Sequence, residues 1–246
     1  MIPIARVALE SELARRLNSR TAELKGSNAD STRARAAWRS ASALKNGIRD
    51  HLARMAPGIQ RCMYCGDSLG TDIDHFEPIK ELPAGTFEWL NHLLACSACN
   101  SNEKRDQFPR DPSGHALLID PTRDDPGKHL RLVLRTGEYR ALTQQGTASI
   151  KVFNLNRADL TRGRAIAFDT RGAVLSRAYD LLRGGRHDEA ARFLRALAEE
   201  PHASVLNEML RTVDMPGAPE ILGKDITAAL KNQLVLATLR EAVERP

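Results

Sequence analysis

Two Cys-x-x-Cys pairs, Cys62-Met-Tyr-Cys65 and Cys96-Ser-Ala-Cys99, constrain this 246-residue chain more than any other feature. They use all 4 of its cysteines. A secreted chain that depended on disulfides would rarely group its thiols this way, whereas each pair offers two sulfurs to a single ion without strain. Four thiolates suit tetrahedral zinc. The spacing therefore predicts a zinc-stapled module in a reducing compartment. The interval between the pairs, residues 66–95, is longer than a minimal zinc ribbon needs, so it houses something else.

The interval contains DIDHFEP, residues 72–78, and the second pair is followed directly by Asn100. If the second knuckle opens a helix, Asn100 projects from its first turns toward the strand carrying Asp74 and His75. A carboxylate oxygen and an amide oxygen are hard ligands suited to Mg2+ or Mn2+, leaving positions for water and phosphate oxygens. His75 has the ordinary pKa of a base that can activate water near neutrality. Lys104 and Arg105 fall a turn beyond Asn100, where they could contact phosphate. Asp72 shares a strand face with Asp74 and reads first as an exposed partner for an arginine, second as support for the ion. His92 reads as a surface histidine at a helix start and Trp89 as core beneath the zinc module.

Charge is divided unevenly. Residues 1–61 hold 12 Lys/Arg against 5 Asp/Glu, whereas residues 62–110 hold 4 against 8. A polyanion would be gripped by the basic flank rather than by the acidic module. Residues 1–61 read as helices, with Leu9, Leu13 and Leu17 on one stripe and Ile48, Leu52 and Met55 on another. Ser31 is the expected N-cap of the second helix and Pro57-Gly58 a stop. Residues 111–156 form an extension in which Leu130, Leu132 and Leu134 alternate with other residues before a Thr-Gly-Glu turn, a hairpin signal. Residues 157–246 return to helical spacing, and Leu230, Leu234 and Leu236 form a stripe near the chain end. No segment approaches the roughly 20 apolar residues that span a bilayer, and the expected location is the cytoplasm.

Cys62, Cys65, Asp74, His75, Asn91, Cys96, Cys99, Asn100 and Lys104 together resemble the HNH endonucleases of the ββα-metal fold. The resemblance covers roughly residues 62–110 and is closest to the zinc-knuckled variant that places Asn directly after the fourth cysteine. It implies that Asp74 and Asn100 hold the catalytic Mg2+ or Mn2+, that His75 is the general base, and that Asn91 steadies the His75 loop. A looser likeness, over about 62–164, is to the HNH nucleases of Septu-type and retron-associated anti-phage systems, which work beside an ABC-type ATPase. Glu77 departs from that pattern, where lysine or arginine often precedes the proline.

The expected fold is α+β and mostly helical: a zinc-stapled ββα-metal module flanked by N-terminal and C-terminal helices. The expected function is metal-dependent cleavage of DNA in antiviral defence. Two alternatives remain at this level: a noncatalytic zinc-knuckle module that binds nucleic acid or a protein, and the same active site acting on RNA.

Overall fold

The computed structural model describes residues 1–243, with the side chain of Val243 excluded. Three helices come first: α1 (Ser11–Gly26), α2 (Ser31–Ser40) and α3 (Ser42–Met55). Helix α1 starts after Leu9, and it carries Glu12 in its first turn and Lys25 in its last, complementing the helix dipole. The cap of α2 is Asp30 rather than Ser31, its carboxylate accepting from Arg33 N at 2.8 Å. The basic first segment thus forms three helices, because the backbone at Ala41 breaks what reads as one run into α2 and α3. Leu44, Ile48 and Leu52 recur every fourth residue and form the buried stripe of α3.

The zinc-pair region folds as β1 (Asp72–His75), antiparallel to β2 (His92–Ala95), followed by a π-helical turn over Ala98–Lys104. The register pairs Asp74 with Leu93 and His75 with His92. Arg105 N donates to Asn100 O at 2.8 Å, the i to i+5 bond of that wider turn. Helix α3 packs on both strands. Met63, Tyr64, Phe87, Leu93 and Leu94 are fully buried, but in a cluster continuous with the helices on either side. The module shares its core with its neighbours instead of closing one of its own.

A second pair, β3 (Leu130–Val133) and β4 (Glu138–Ala141), forms the expected hairpin after the short α4 (Pro126–His129). Gly137 in its turn has φ +69° and lies against the later helix that carries Thr161, so a Cβ there would come within 2.0 Å of Thr161 O. Helix α5 (Gln144–Val152) is capped by Thr143, and the long α6 (Ala158–Arg183) follows. The remaining helices are α7 (His187–Glu199), α8 (Ala203–Thr212), α9 (Ala218–Leu222), α10 (Lys224–Lys231) and α11 (Gln233–Val243). Helix α6 is the spine, packed by α7, α8 and α10. The buried stripe near the end is Leu230, Val235 and Leu239, while Leu234 is 54% exposed. The break between α10 and α11 at Asn232 shifts the inward face by one residue from the expected Leu234. The protein is an α+β fold, mostly helical. No helix among the described residues is long and apolar enough to cross a membrane.

Candidate metal centres and active site

The two knuckles close on one point. The Sγ atoms of Cys62, Cys65, Cys96 and Cys99 all lie within 4.8 Å of one another, and all four residues are buried. A tetrahedral zinc with Zn–S of about 2.3 Å requires sulfurs about 3.8 Å apart. Cys65 and Cys96 are at 3.9 Å, so the set fits zinc. The surrounding hydrogen bonds favour anionic sulfur: Cys99 N reaches Cys96 Sγ at 3.4 Å, and Arg157 Nη1 reaches Cys99 Sγ at 3.7 Å. Donation within the cluster pulls the Cys65 thiol far below its ordinary pKa, and burial and neighbouring thiols push Cys62 up. The first knuckle is sewn to β2, with Met63 N donating to Leu94 O at 2.9 Å. That stitch sets the knuckle beside β1.

Asp74 and His75 occupy the end of β1, and both are buried. The carboxylate of Asp74 accepts from the Tyr64 hydroxyl on Oδ2 and from Lys104 Nζ at 2.9 Å on Oδ1. Burial outweighs these donors and raises its carboxyl pKa above the ordinary value. Lys104 also donates to His75 O at 2.7 Å. It is fully buried, which corrects the expectation of a phosphate contact: the ammonium is consumed by the strand it faces. Arg105 is exposed, and its Nε donates to Asn102 O within the same turn.

The side chain of Asn100 reaches β1 at Asp72, with Nδ2 to Asp72 Oδ2 at 3.2 Å. Ser101 Oγ joins the same oxygen at 3.1 Å. Asp72 therefore partners the π-helical turn and not an arginine. Because Nδ2 is the donor, the Asn100 carbonyl oxygen is left for another partner. Asp72, Asp74 and Asn100 thus supply oxygen donors, the chemistry of a hard divalent cation, and the Lys104 ammonium already marks Asp74 as a place that accepts positive charge. No direct contact joins Asp74 to Asn100, and among the described residues the cysteines alone form a cluster of three or more His, Cys, Asp or Glu ligands.

His75 Nε2 lies 3.0 Å from Thr86 O, and an acceptor carbonyl fixes the proton on that nitrogen. Nδ1 is left as the acceptor, with no protein partner among the described residues. Burial lowers the His75 pKa to about 4, so the ring is neutral at pH 7. Thr86 O also receives His92 Nε2 at 2.9 Å. His92 is completely buried on β2, correcting the expectation of a surface residue, and Trp38 of α2 stacks on it at 5.2 Å. The same indole meets His75 edge-on at 4.6 Å. Sequence reasoning did not find Trp38, whose contact joins positions 37 residues apart with no shared pattern.

Asn91, expected to steady the His75 loop, bonds both backbone groups of Glu77: Oδ1 accepts from Glu77 N at 2.8 Å and Nδ2 donates to Glu77 O at 3.0 Å. Its Nδ2 also reaches Gly85 O at 3.4 Å. One amide thus ties the two ends of the loop that presents Thr86. Glu77 itself pairs with Arg110, which explains how an acid is accommodated there. Trp89 is half-buried with Arg6 over its ring at 5.0 Å, so it lies at the N-terminal segment and not beneath the zinc cluster. His129 bonds Thr143 Oγ1 at 2.9 Å, a structural contact of the hairpin.

Comparison with known proteins agrees with this geometry. Residues 62–106 match the family model for HNH endonuclease. The chain is 28% identical over 149 residues to Septu protein PtuB of Bacillus mycoides (strain KBAB4), an alignment covering 48% of this chain and 50% of that protein. The chain thus spans about half the length of this relative. No solved structure matches. Residues 62–106, with their antiparallel pair, following helical turn and paired knuckles, are thus similar to the HNH endonuclease family, in a chain similar to a Septu protein.

Proposed function

We propose that the chain is a metal-dependent endonuclease that cleaves DNA and serves as the nuclease of an anti-phage defence system. The observation carrying this reading is the tautomer of His75. Thr86 O holds the Nε2 proton and leaves Nδ1 as a neutral acceptor, on the residue that directly follows Asp74 in β1. In the reaction His75 Nδ1 removes a proton from water as the oxygen attacks phosphorus in line. The Thr86 carbonyl then stabilises the imidazolium that forms. Asp74 and Asn100 would hold Mg2+ or Mn2+, which would supply charge stabilisation at the phosphate and the leaving oxygen. Asn91 keeps the Thr86 loop in place throughout.

The basic helices α1–α3 support a nucleic-acid substrate. They pack directly on the site, with Trp38 against His75 and Arg49 bonded to Thr71 O beside β1. Exposed Arg33 and Arg39 on α2 and Arg105 beyond the π-helical turn supply sequence-independent contacts to phosphate. The likeness to a Septu protein supports a place in a defence complex, with an ATPase of the ABC class as partner. The test is incubation of zinc-replete protein with supercoiled plasmid or total RNA, in Mg2+, Mn2+ or EDTA, beside His75→Ala. Plasmid nicking that needs the divalent ion and falls about 10²- to 10⁴-fold in the variant supports the reading. Equal cutting by both proteins refutes it, and cleavage confined to RNA moves the substrate.

A further inference from the structure

We propose that Tyr64 is a positioning residue for the catalytic carboxylate, so that the zinc knuckle and the segment entering α6 act together on Asp74. The inference rests on the nuclease reading above and adds to it the group that sets the geometry of its metal ligand. Tyr64 is the third residue of the first knuckle, between Met63 and Cys65, and its side chain is completely buried. Its hydroxyl donates to Asp74 Oδ2. Its ring stacks on Phe153 at 3.9 Å with an interplanar angle of 23°. Phe153 follows α5 directly and is itself completely buried.

These contacts leave the ring little freedom. The knuckle backbone fixes one end through Cys65 and Met63, Phe153 covers a face, and the hydroxyl meets one carboxylate oxygen. Lys104 takes the other oxygen and also His75 O, so Asp74 is held from two sides. A carboxylate offers about four lone-pair sites. With one on each oxygen used by Tyr64 and Lys104, the rest are left for a cation. The Tyr64 bond therefore selects the orientation in which Asp74 presents them. Arg157, four residues beyond Phe153, reaches Cys99 Sγ, so the same downstream segment touches both the zinc cluster and the support of Asp74.

Hydrogen-bond partners of a metal ligand typically contribute about 10- to 100-fold to metal affinity or activity. The test measures Mn2+ binding by the loss of free-ion EPR signal in zinc-replete protein without DNA, and plasmid nicking across Mn2+ concentrations. Tyr64→Phe keeps the ring and the stack and removes only the donor. We expect one zinc per chain to be retained, Mn2+ affinity to fall about tenfold or more, and the nicking rate to recover at high Mn2+. KM for plasmid should stay unchanged. Unchanged Mn2+ affinity, or a rate defect that excess Mn2+ does not recover, overturns the proposal while wild-type cleavage leaves the nuclease reading standing. Wild-type protein that neither binds Mn2+ nor cuts overturns both. If Tyr64→Phe loses zinc, Phe153→Leu decides instead: it keeps the hydroxyl, withdraws its platform, and should weaken Mn2+ binding in the same direction. Unchanged affinity in that variant also overturns the proposal.

Discussion

Replacing Lys104 by methionine separates a buried ion pair from a surface phosphate contact by magnitude alone. The side chain is 0% exposed and its partner Asp74 is 3% exposed, so neither charge can regain water locally when the other is removed. The substitution deletes two donor contacts, at 2.9 Å to Asp74 and 2.7 Å to His75 O, and keeps most of the apolar stem. Breaking a buried pair from one side costs about 3–5 kcal/mol, because the orphaned charge stays buried. The Tyr64 hydroxyl still reaches Asp74, so the lower part of that range is expected. A solvated lysine that touched only phosphate would move stability by no more than about 0.5 kcal/mol. The assay is urea denaturation of zinc-replete protein, comparing midpoints at a common slope. Lys104→Met combined with Asp74→Asn should lose less than the two single changes together, since the double variant leaves no orphaned charge. A single-variant loss below about 0.5 kcal/mol, or strict additivity, would falsify the description of Lys104 as the internal counter-ion of Asp74.

Other expectations follow from the same geometry. Fresh protein purified without chelator should carry one zinc per chain, and Cys99→Ser should lose it and unfold residues 62–110, since a structural zinc contributes on the order of 10 kcal/mol; less than about half an equivalent by elemental analysis counts against the cluster. Burial lowers the His75 pKa from 6.5 to about 4, so below pH 6.5 the unfolded chain binds a proton that the folded chain refuses. Stability should therefore fall as pH drops from 6.5 toward 4, by about 3 kcal/mol for this group. His92, also lowered by burial, adds in the same direction, and a His75→Asn variant should show a shallower fall; a pH-independent difference between the two proteins contradicts this account. Asn91→Ala should cost about 1–3 kcal/mol for each backbone group of Glu77 left unsatisfied, and should slow nicking with zinc unchanged.

Much of the module was legible because its constraints are local. Cysteine spacing identifies the cluster, the acidic strand and the second knuckle bring Asn100 to β1, and alternating leucines mark the hairpin. What escaped depends on partners distant in sequence. Lys104 and Arg105 are adjacent and read alike, yet one turns inward to Asp74 and the other outward, a choice made by the wider π-helical turn. His92 looked like a surface residue because nothing nearby announces Thr86 O and Trp38 as its neighbours. Asp72 reads as a partner for an arginine because charge suggests charge, while its neighbour in the structure is the amide of Asn100. At the chain end a one-residue shift at Asn232 moved burial from Leu234 to Val235.

The bond from Arg157 to Cys99, with Phe153 beneath Tyr64, also sets a clock. Synthesis runs at about 5–20 residues per second, and the last cysteine of the cluster precedes Arg157 by roughly sixty positions, so on the order of 3–12 s separates making the knuckles from making their brace. During that interval the nascent chain holds His75 and Asp74 without the platform under Tyr64. A ribosome that stalled within residues 110–150 would release a fragment containing every HNH motif but lacking the support of its carboxylate. Under the proposed function, such delayed completion would postpone assembly of the nuclease centre until the downstream helices are made.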